Sequence, residues 1–246
     1  MVKEIKSINN EYIKELAKLK NKKNRDIAGK FLVEGYHLIE MAKEYLETIL
    51  ISDYKDLNII KNKNYILVTK EIINKLSSTQ SPQGIIGIVN KKKESISNGN
   101  ILMLDNVQDP SNLGTLIRSA LAFGINNIIL SEDCVDMFND KVIRGSQGSI
   151  FKVNYCYCDL ISKIKEYKSK GFSILGTSLE NGVELNKTII NDKFILILGN
   201  EGQGIRKEIL NETNENIYIP INKEIDSLNV AVAGSILMYE LTKNKK

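Results

Sequence analysis

The sequence predicts an α/β protein with a mostly parallel sheet in its larger, C-terminal part and a small α/β unit in front of it. Three observations carry this expectation. From about residue 100 onward, short apolar runs rich in Ile, Leu and Val alternate regularly with stretches of helical periodicity. A charged, aperiodic stretch, KKKESISNGN (91–100), interrupts the pattern once. The 246 residues are 42% hydrophobic and 26% charged, enough to bury a real core and unlike disordered or fibrous chains. Domains are therefore expected at 1–90 and 100–246, with a linker over 91–99.

The elements follow in order. In IKELAKLKNKKNRD, Ile13, Leu16, Ala17 and Leu19 recur at helical spacing among lysines, predicting an amphipathic basic helix that ends in a polar run. A short strand is expected over 31–33, then a turn at Gly35 and a helix through Leu38, Ile39, Ala42 and Leu46. TILIS (48–52), YILVT (65–69) and GIIGIV (84–89) are β-branched runs expected to be strands. Beyond the linker, strands are expected at 101–105, 127–131, 151–155, 172–178, 194–198 and 216–221. Helices are expected over 112–123, after 131, over 159–169, near 205–212 and over 228–241. No internal repeat is present.

Composition excludes several functions. No apolar run approaches the roughly 18–20 residues that span a bilayer, and the charged start lacks the apolar core of a signal peptide. The expectation is a cytoplasmic protein. Cys134, Cys156 and Cys158 do not suggest a disulfide framework, and the Cys156-Tyr157-Cys158 spacing is too short for a zinc knuckle. His37 is the only histidine, and there is no G-x-S-x-G elbow, so a Ser-His-Asp hydrolase is disfavoured and no metal is expected.

Charge is unevenly placed. Residues 1–30 carry nine basic and four acidic side chains, a net +5 in a chain whose total is +4. This front segment, with Lys22, Lys23 and Arg25, suggests phosphate contacts, although a solvated helix face would look the same. Only four of the 34 basic residues are Arg. Arginine in so lysine-rich a chain points to places that require a planar fork of donors rather than a charge alone.

In open α/β sheets ligands bind beyond the carboxyl ends of the strands. Three such places stand out. In LDNVQDPSNLGTLIRSALAFG (104–124), Pro110, Ser111 and Asn112 can open a helix with Leu113, Leu116, Ile117 and Ala120 on its apolar face and Arg118 on another. In FILILGNEGQGIRKEIL (194–210), a buried strand runs into Gly199, Gly202 and Gly204 before a helix, with Glu201 among the glycines. The order G-x-x-G-x-G differs from the dinucleotide fingerprint and lies on a late strand, so a nucleotide- or NAD-dependent α/β enzyme is a weak alternative. In IYIPINKEIDSLNVAVAGSILMYEL (217–241), Ser227, Leu228 and Asn229 open a helix rich in small residues.

Together these three segments resemble the SpoU (TrmH-like) branch of the SPOUT RNA methyltransferases, and residues 1–90 more loosely resemble an L30e-like RNA-binding domain, through KFLVEGYHLI and SPQGIIGIV. The resemblance implies a C-terminal segment threaded into a trefoil knot, an exception to the rule that connections do not thread loops. It further implies S-adenosylmethionine as cofactor, structured RNA as partner, most plainly ribosomal RNA, and a homodimer. By position match, Thr177, Gly199, Ile219 and Leu228 would line the cofactor pocket. Asn112, Arg118, Glu201, Ser227 and Asn229 would form the catalytic group, and Arg144 in VIRGSQGSIF (142–151) would contact substrate.

The implied reaction is methyl transfer to a ribose 2'-hydroxyl. The resemblance gives Arg118 the role of base, but a guanidinium keeps its proton under ordinary conditions and makes a poor base. Arg118 is therefore expected to hold the RNA phosphate and the 2'-oxygen in line, with proton loss assisted by that phosphate or by Glu201. A transfer-RNA substrate and a ribosome-associated RNA-binding protein without turnover are the alternatives.

Overall fold

The computed structural model describes residues 3–55, 64–179, 182–187 and 192–243. The chain separates into two compact units, Met1–Lys93 with Phe138–Phe151, and Glu94–Met137 with Lys152–Lys246.

The first unit is built on a mixed five-stranded sheet, β1 (Lys3–Ile5), β4 (Tyr65–Val68), β3 (Leu46–Ile51), β5 (Ile85–Asn90) and β2 (Lys30–Glu34), in that spatial order. β5 pairs antiparallel with both neighbours and buries its first five residues, as a central strand must. Helices α1 (Glu11–Lys18) and α4 (Lys70–Leu76) cover one face, with Ile13, Leu16, Ile72, Ile73 and Leu76 packed on Leu50, Ile66, Ile86 and Ile88. The polar run after α1 is itself helical, α2 (Lys22–Ala28). Asn21 caps it through Lys23 N at 2.9 Å, and Gly29, at φ 62°, ends it.

The next helix is shorter than its periodicity suggests. α3 covers Tyr36–Met41, and Leu46 already belongs to β3, where it pairs with Val89. Strand pairing overrides helix spacing there. Residues 138–151 join this unit through aromatic packing: the Phe31 ring lies 4.7 Å from Phe138 and 6.2 Å from Phe151. Within that segment lies α6 (Asp140–Gly145), and Ser149–Phe151 forms a 3-10 turn.

The second unit holds a seven-stranded sheet in which every pairing is parallel. Its order is β10 (Val183–Glu184), β12 (Glu215–Tyr218), β9 (Ser173–Thr177), β11 (Phe194–Leu198), β6 (Ile101–Leu104), β7 (Asn127–Leu130) and β8 (Asn154–Tyr157). β6, β7 and β11 are buried along their whole length, which in a parallel sheet requires cover on both faces. Helix α7 (Leu160–Ser169) supplies Leu160, Ile164 and Tyr167 to one apolar layer, and Ile209 of α8 (Lys207–Leu210) joins it. Helix α5 (Pro110–Ala122) packs with α9 (Val230–Thr242), where Ser119 and Ser235 hydroxyls meet at 2.8 Å. Gly234 makes this approach possible, because a Cβ there would lie 2.5 Å from Leu198 Cδ1 and 2.6 Å from Leu116 Cδ2.

Candidate active site

The carboxyl ends of β6 and β11 lie side by side, with Leu104 in register with Leu198 and Asp105 N donating to Leu198 O at 2.8 Å. From this edge the chain leaves into two loops, 105–109 before α5 and 199–205 after β11.

The second loop turns back on itself. Asn200 and Gly204 exchange backbone hydrogen bonds of 3.0 and 2.9 Å. A Cβ on Gly199 would sit 2.2 Å from both the Gly204 carbonyl carbon and Ile205 N, so only glycine permits this closure. Asn200 Oδ1 accepts from Gly202 N and Gln203 N at 3.0 and 3.1 Å, while its Nδ2 donates to Asn106 O at 2.9 Å. The closed loop presents Glu201 toward the start of α5.

There the first loop meets it. Asp109 caps α5 by accepting from Ser111 N and Asn112 N, at 2.7 and 3.0 Å, with Pro110 at the first helical position. Glu201 accepts from Asp109 N at 3.1 Å, from Gln108 N at 3.4 Å and from Asn112 Nδ2 at 3.0 Å. Partial burial pushes its carboxyl up, but the hydrogen bonds from Asn112 and from backbone amides outweigh this and hold it below the ordinary carboxylate value.

The third segment completes the cluster. Asn229 caps α9 with Oδ1, accepting from Ala231 N and Val232 N at 2.9 and 3.2 Å, which leaves its Nδ2 to donate to Asn112 Oδ1 at 2.9 Å. The order Asn229 to Asn112 to Glu201 fixes the amide orientation of both asparagines: a flipped Asn112 would aim oxygen at a carboxylate and nitrogen at a donor. Three sequence segments are thus joined by side chains.

The remaining candidates divide. Thr177, Gly199 and Ile219 stand at or just beyond the carboxyl ends of β9, β11 and β12, three adjacent strands, and Thr177 Oγ1 donates to Ile197 O at 3.1 Å. Leu228 directly precedes the α9 cap and is half-buried. Arg118 is exposed on α5, and its side chain, like that of exposed Ser227, makes no hydrogen bond or ion pair among the described residues. At about 100° per residue, Arg118 points roughly 120° away from Asn112 around the helix. The structure does not bring it to the cluster.

In the first unit, Lys22 and Lys23 are exposed on α2. Arg25 is corrected: it is 5% exposed and donates from Nη1 to Leu19 O and Lys20 O, both at 2.9 Å, so it braces the turn between α1 and α2. Arg144 pairs with Asp140 at 2.7 Å one turn earlier in α6. His37 Nε2 lies 3.2 Å from Gln147 O. Among the described residues, no group of three or more His, Cys, Asp or Glu is placed to hold a metal ion.

One site pair escaped the sequence reading. Asp105 and Arg206, 101 positions apart, are joined by an ion pair of 2.6 Å. The rarity of Arg in this chain was the available signal.

A parallel sheet whose adjacent strand ends converge on a glycine loop and two capped helices defines a ligand-binding α/β fold, and the comparisons specify which. Residues 99–239 match the SpoU rRNA Methylase family, and residues 10–87 match an MRM3-like substrate binding domain. The chain belongs to the SpoU rRNA methylase family. It is 35% identical to the 23S rRNA (guanosine(2553)-2'-O)-methyltransferase RlmP of Bacillus subtilis, over 98% of this chain and 99% of that one. An AdoMet-bound rRNA methyltransferase from Sinorhizobium meliloti superposes with a TM-score of 0.88 at 26% identity, covering 99% and 98% of the two chains. An RNA 2'-O ribose methyltransferase structure gives 0.84 at 26% identity, covering 98% and 99%.

Proposed function

We propose that this protein transfers the methyl group of S-adenosylmethionine to a ribose 2'-hydroxyl of ribosomal RNA. The observation that carries the reading is the hydrogen-bonded line from Asn229 through Asn112 to Glu201, which draws three family motifs together at one sheet edge. The full-length likeness to the Bacillus subtilis enzyme makes the corresponding 23S guanosine the first target to test.

The site fits the cofactor in kind. Thr177, Gly199, Ile219 and Leu228 would hold it through a wall made largely of backbone, whose close folding at Gly199 leaves no space for a Cβ. The bound cofactor supplies an electrophilic methyl on a sulfonium. The chain's own residues must then place the ribose oxygen in line and let its proton leave as the O–C bond forms. Glu201 is a poor proton acceptor, since its carboxylate is stabilised and its oxygens are already engaged. We assign it to holding Asn112 and the α5 N-terminus, and the 2'-hydroxyl proton passes to water as the O–C bond forms.

Arg118 is assigned to the RNA phosphate and 2'-oxygen, as a fork of donors. Its distance around α5 from Asn112 supports service to the partner site of a homodimer rather than to its own. On α9, Val232, Ile236 and Tyr239 are exposed apolar residues that a second copy would cover. The trefoil threading of the C-terminal segment and a cytoplasmic location belong to the same reading; no helix among the described residues is long and apolar enough to cross a membrane. Lys22 and Lys23 of the first unit, with Arg144, are assigned to RNA phosphates. Incubating the protein with ribosomal RNA and methyl-labelled cofactor, then mapping label to a nucleoside, tests the proposal.

A further inference from the structure

We propose that Asp105 and Arg206 form a positioning clamp that holds the 199–205 loop, and through it Glu201 and the cofactor edge at Gly199, in working shape. The inference rests on the methyltransferase reading above. Asp105 is fully buried, 0% exposed, at the end of β6. A buried carboxylate is costly unless donors surround it. Arg206 supplies them: its backbone N donates to Oδ2 at 2.9 Å, its Nε to Oδ1 at 2.8 Å, and its Nη2 lies 2.6 Å from Oδ1. Asp105 N in turn donates to Leu198 O. One residue thus grips the chain immediately before the loop and immediately after it.

Between these two grips the loop is shaped mainly by hydrogen bonds, within it through Asn200 and outward through Glu201. Residues 201–204 are exposed, and of 200–205 only Ile205 is buried, at 6%. Gly202 and Gly204 give the released segment a large conformational freedom, which, apart from the packing of Ile205, polar contacts must restrain. Asn200 fastens the loop to Asn106 from its near side. Arg206 fastens the far side, and its side chain, 43% exposed, also approaches Asp133 and Glu208 at 3.9 Å. A fork geometry is needed, because Nε and Nη2 reach one carboxylate oxygen while the backbone N takes the other.

The test is amide hydrogen exchange of the full-length protein without cofactor, with S-adenosylmethionine calorimetry alongside, for wild type, Arg206→Ala and Arg206→Lys. In Arg206→Ala, exchange at Gly202, Gln203 and Gly204 should rise by about tenfold or more while β6 and β11 stay protected, and the cofactor Kd should rise by about tenfold. Arg206→Lys should recover only part of both. Unchanged loop exchange and Kd in Arg206→Ala would overturn the clamp. So would a rise spread evenly over the whole second unit, which marks general destabilisation, or full recovery by lysine, which needs no fork. Loop exchange is read without RNA or turnover, so a wild-type protein that methylates nothing would refute the function reading while leaving the clamp standing.

Discussion

Asn229 donates its side-chain amide to Asn112 Oδ1 at 2.9 Å, joining two helix starts that lie 117 positions apart. Each asparagine does double work. Asn229 caps α9 with its oxygen, and Asn112 passes the contact on to Glu201. Because the three side chains act as a line, removing the middle should cost about as much as removing both asparagines. Asn112→Ala, Asn229→Ala and the double variant should each lower single-turnover methyl transfer by roughly 10- to 100-fold, the scale of a hydrogen bond to a charged group, without additivity. Additive losses would dissolve the line into independent contacts.

Arg118→Lys keeps the charge and loses the planar fork, so methyl transfer should fall severely while cofactor affinity holds. If Arg118 serves the partner's site, mixing Arg118→Ala with Asn112→Ala protomers restores one complete site in each mixed dimer. Random exchange of equal amounts should recover roughly a quarter of wild-type activity from two nearly inactive parents. Light scattering would check the dimer. No recovery after proven subunit exchange would place Arg118 in its own protomer's site.

The lowered carboxyl of Glu201 has a pH signature. Its folded-state value lies below its unfolded one, so between them the unfolded chain binds more protons and stability rises with pH. The contribution is complete above the ordinary carboxylate value of 4.5 and fades as pH falls below it. Urea titrations of wild type and Glu201→Gln should therefore differ at pH 7 and converge at more acid pH. A difference that grows on acidification would reverse the assignment.

In the first unit, exposed and buried cations should part company. Lys22→Glu with Lys23→Glu should weaken RNA binding and flatten its salt dependence, leaving stability and cofactor binding near wild type. Arg25→Ala should instead lower the melting temperature, since it leaves the Leu19 and Lys20 carbonyls without their donor. Filter binding over a salt series and thermal melts separate the two.

What the sequence made legible follows the range of the forces involved. Strands β6, β7 and β11 and helices α5, α7 and α9 announce themselves through continuous apolar runs or helical spacing, because burial writes its period directly into composition. The cluster of Asn112, Glu201 and Asn229 was legible as motif segments, though not as hydrogen bonds. β1 was not legible: it is three residues long, two of them charged and exposed. Helix α2 hides in a polar run because its caps, Asn21 and Gly29, mark it rather than an apolar stripe. The strand expected from 151 begins at Asn154, since Ile150 and Phe151 are buried in a 3-10 turn of the other unit. Asp105 looks like an ordinary charge, and the rarity of Arg marks Arg206 without naming its partner, until the fold brings them together.

The most direct measurement is nucleoside mass spectrometry of ribosomal RNA after reaction with the purified protein and S-adenosylmethionine carrying a heavy methyl group, using RNA that lacks the modification. The account predicts one 2'-O-methylated nucleoside carrying the heavy methyl, in the 23S RNA, abolished by Arg118→Lys and strongly reduced by Asn112→Ala. A heavy methyl on a base, or transfer unaffected by both substitutions, would contradict it.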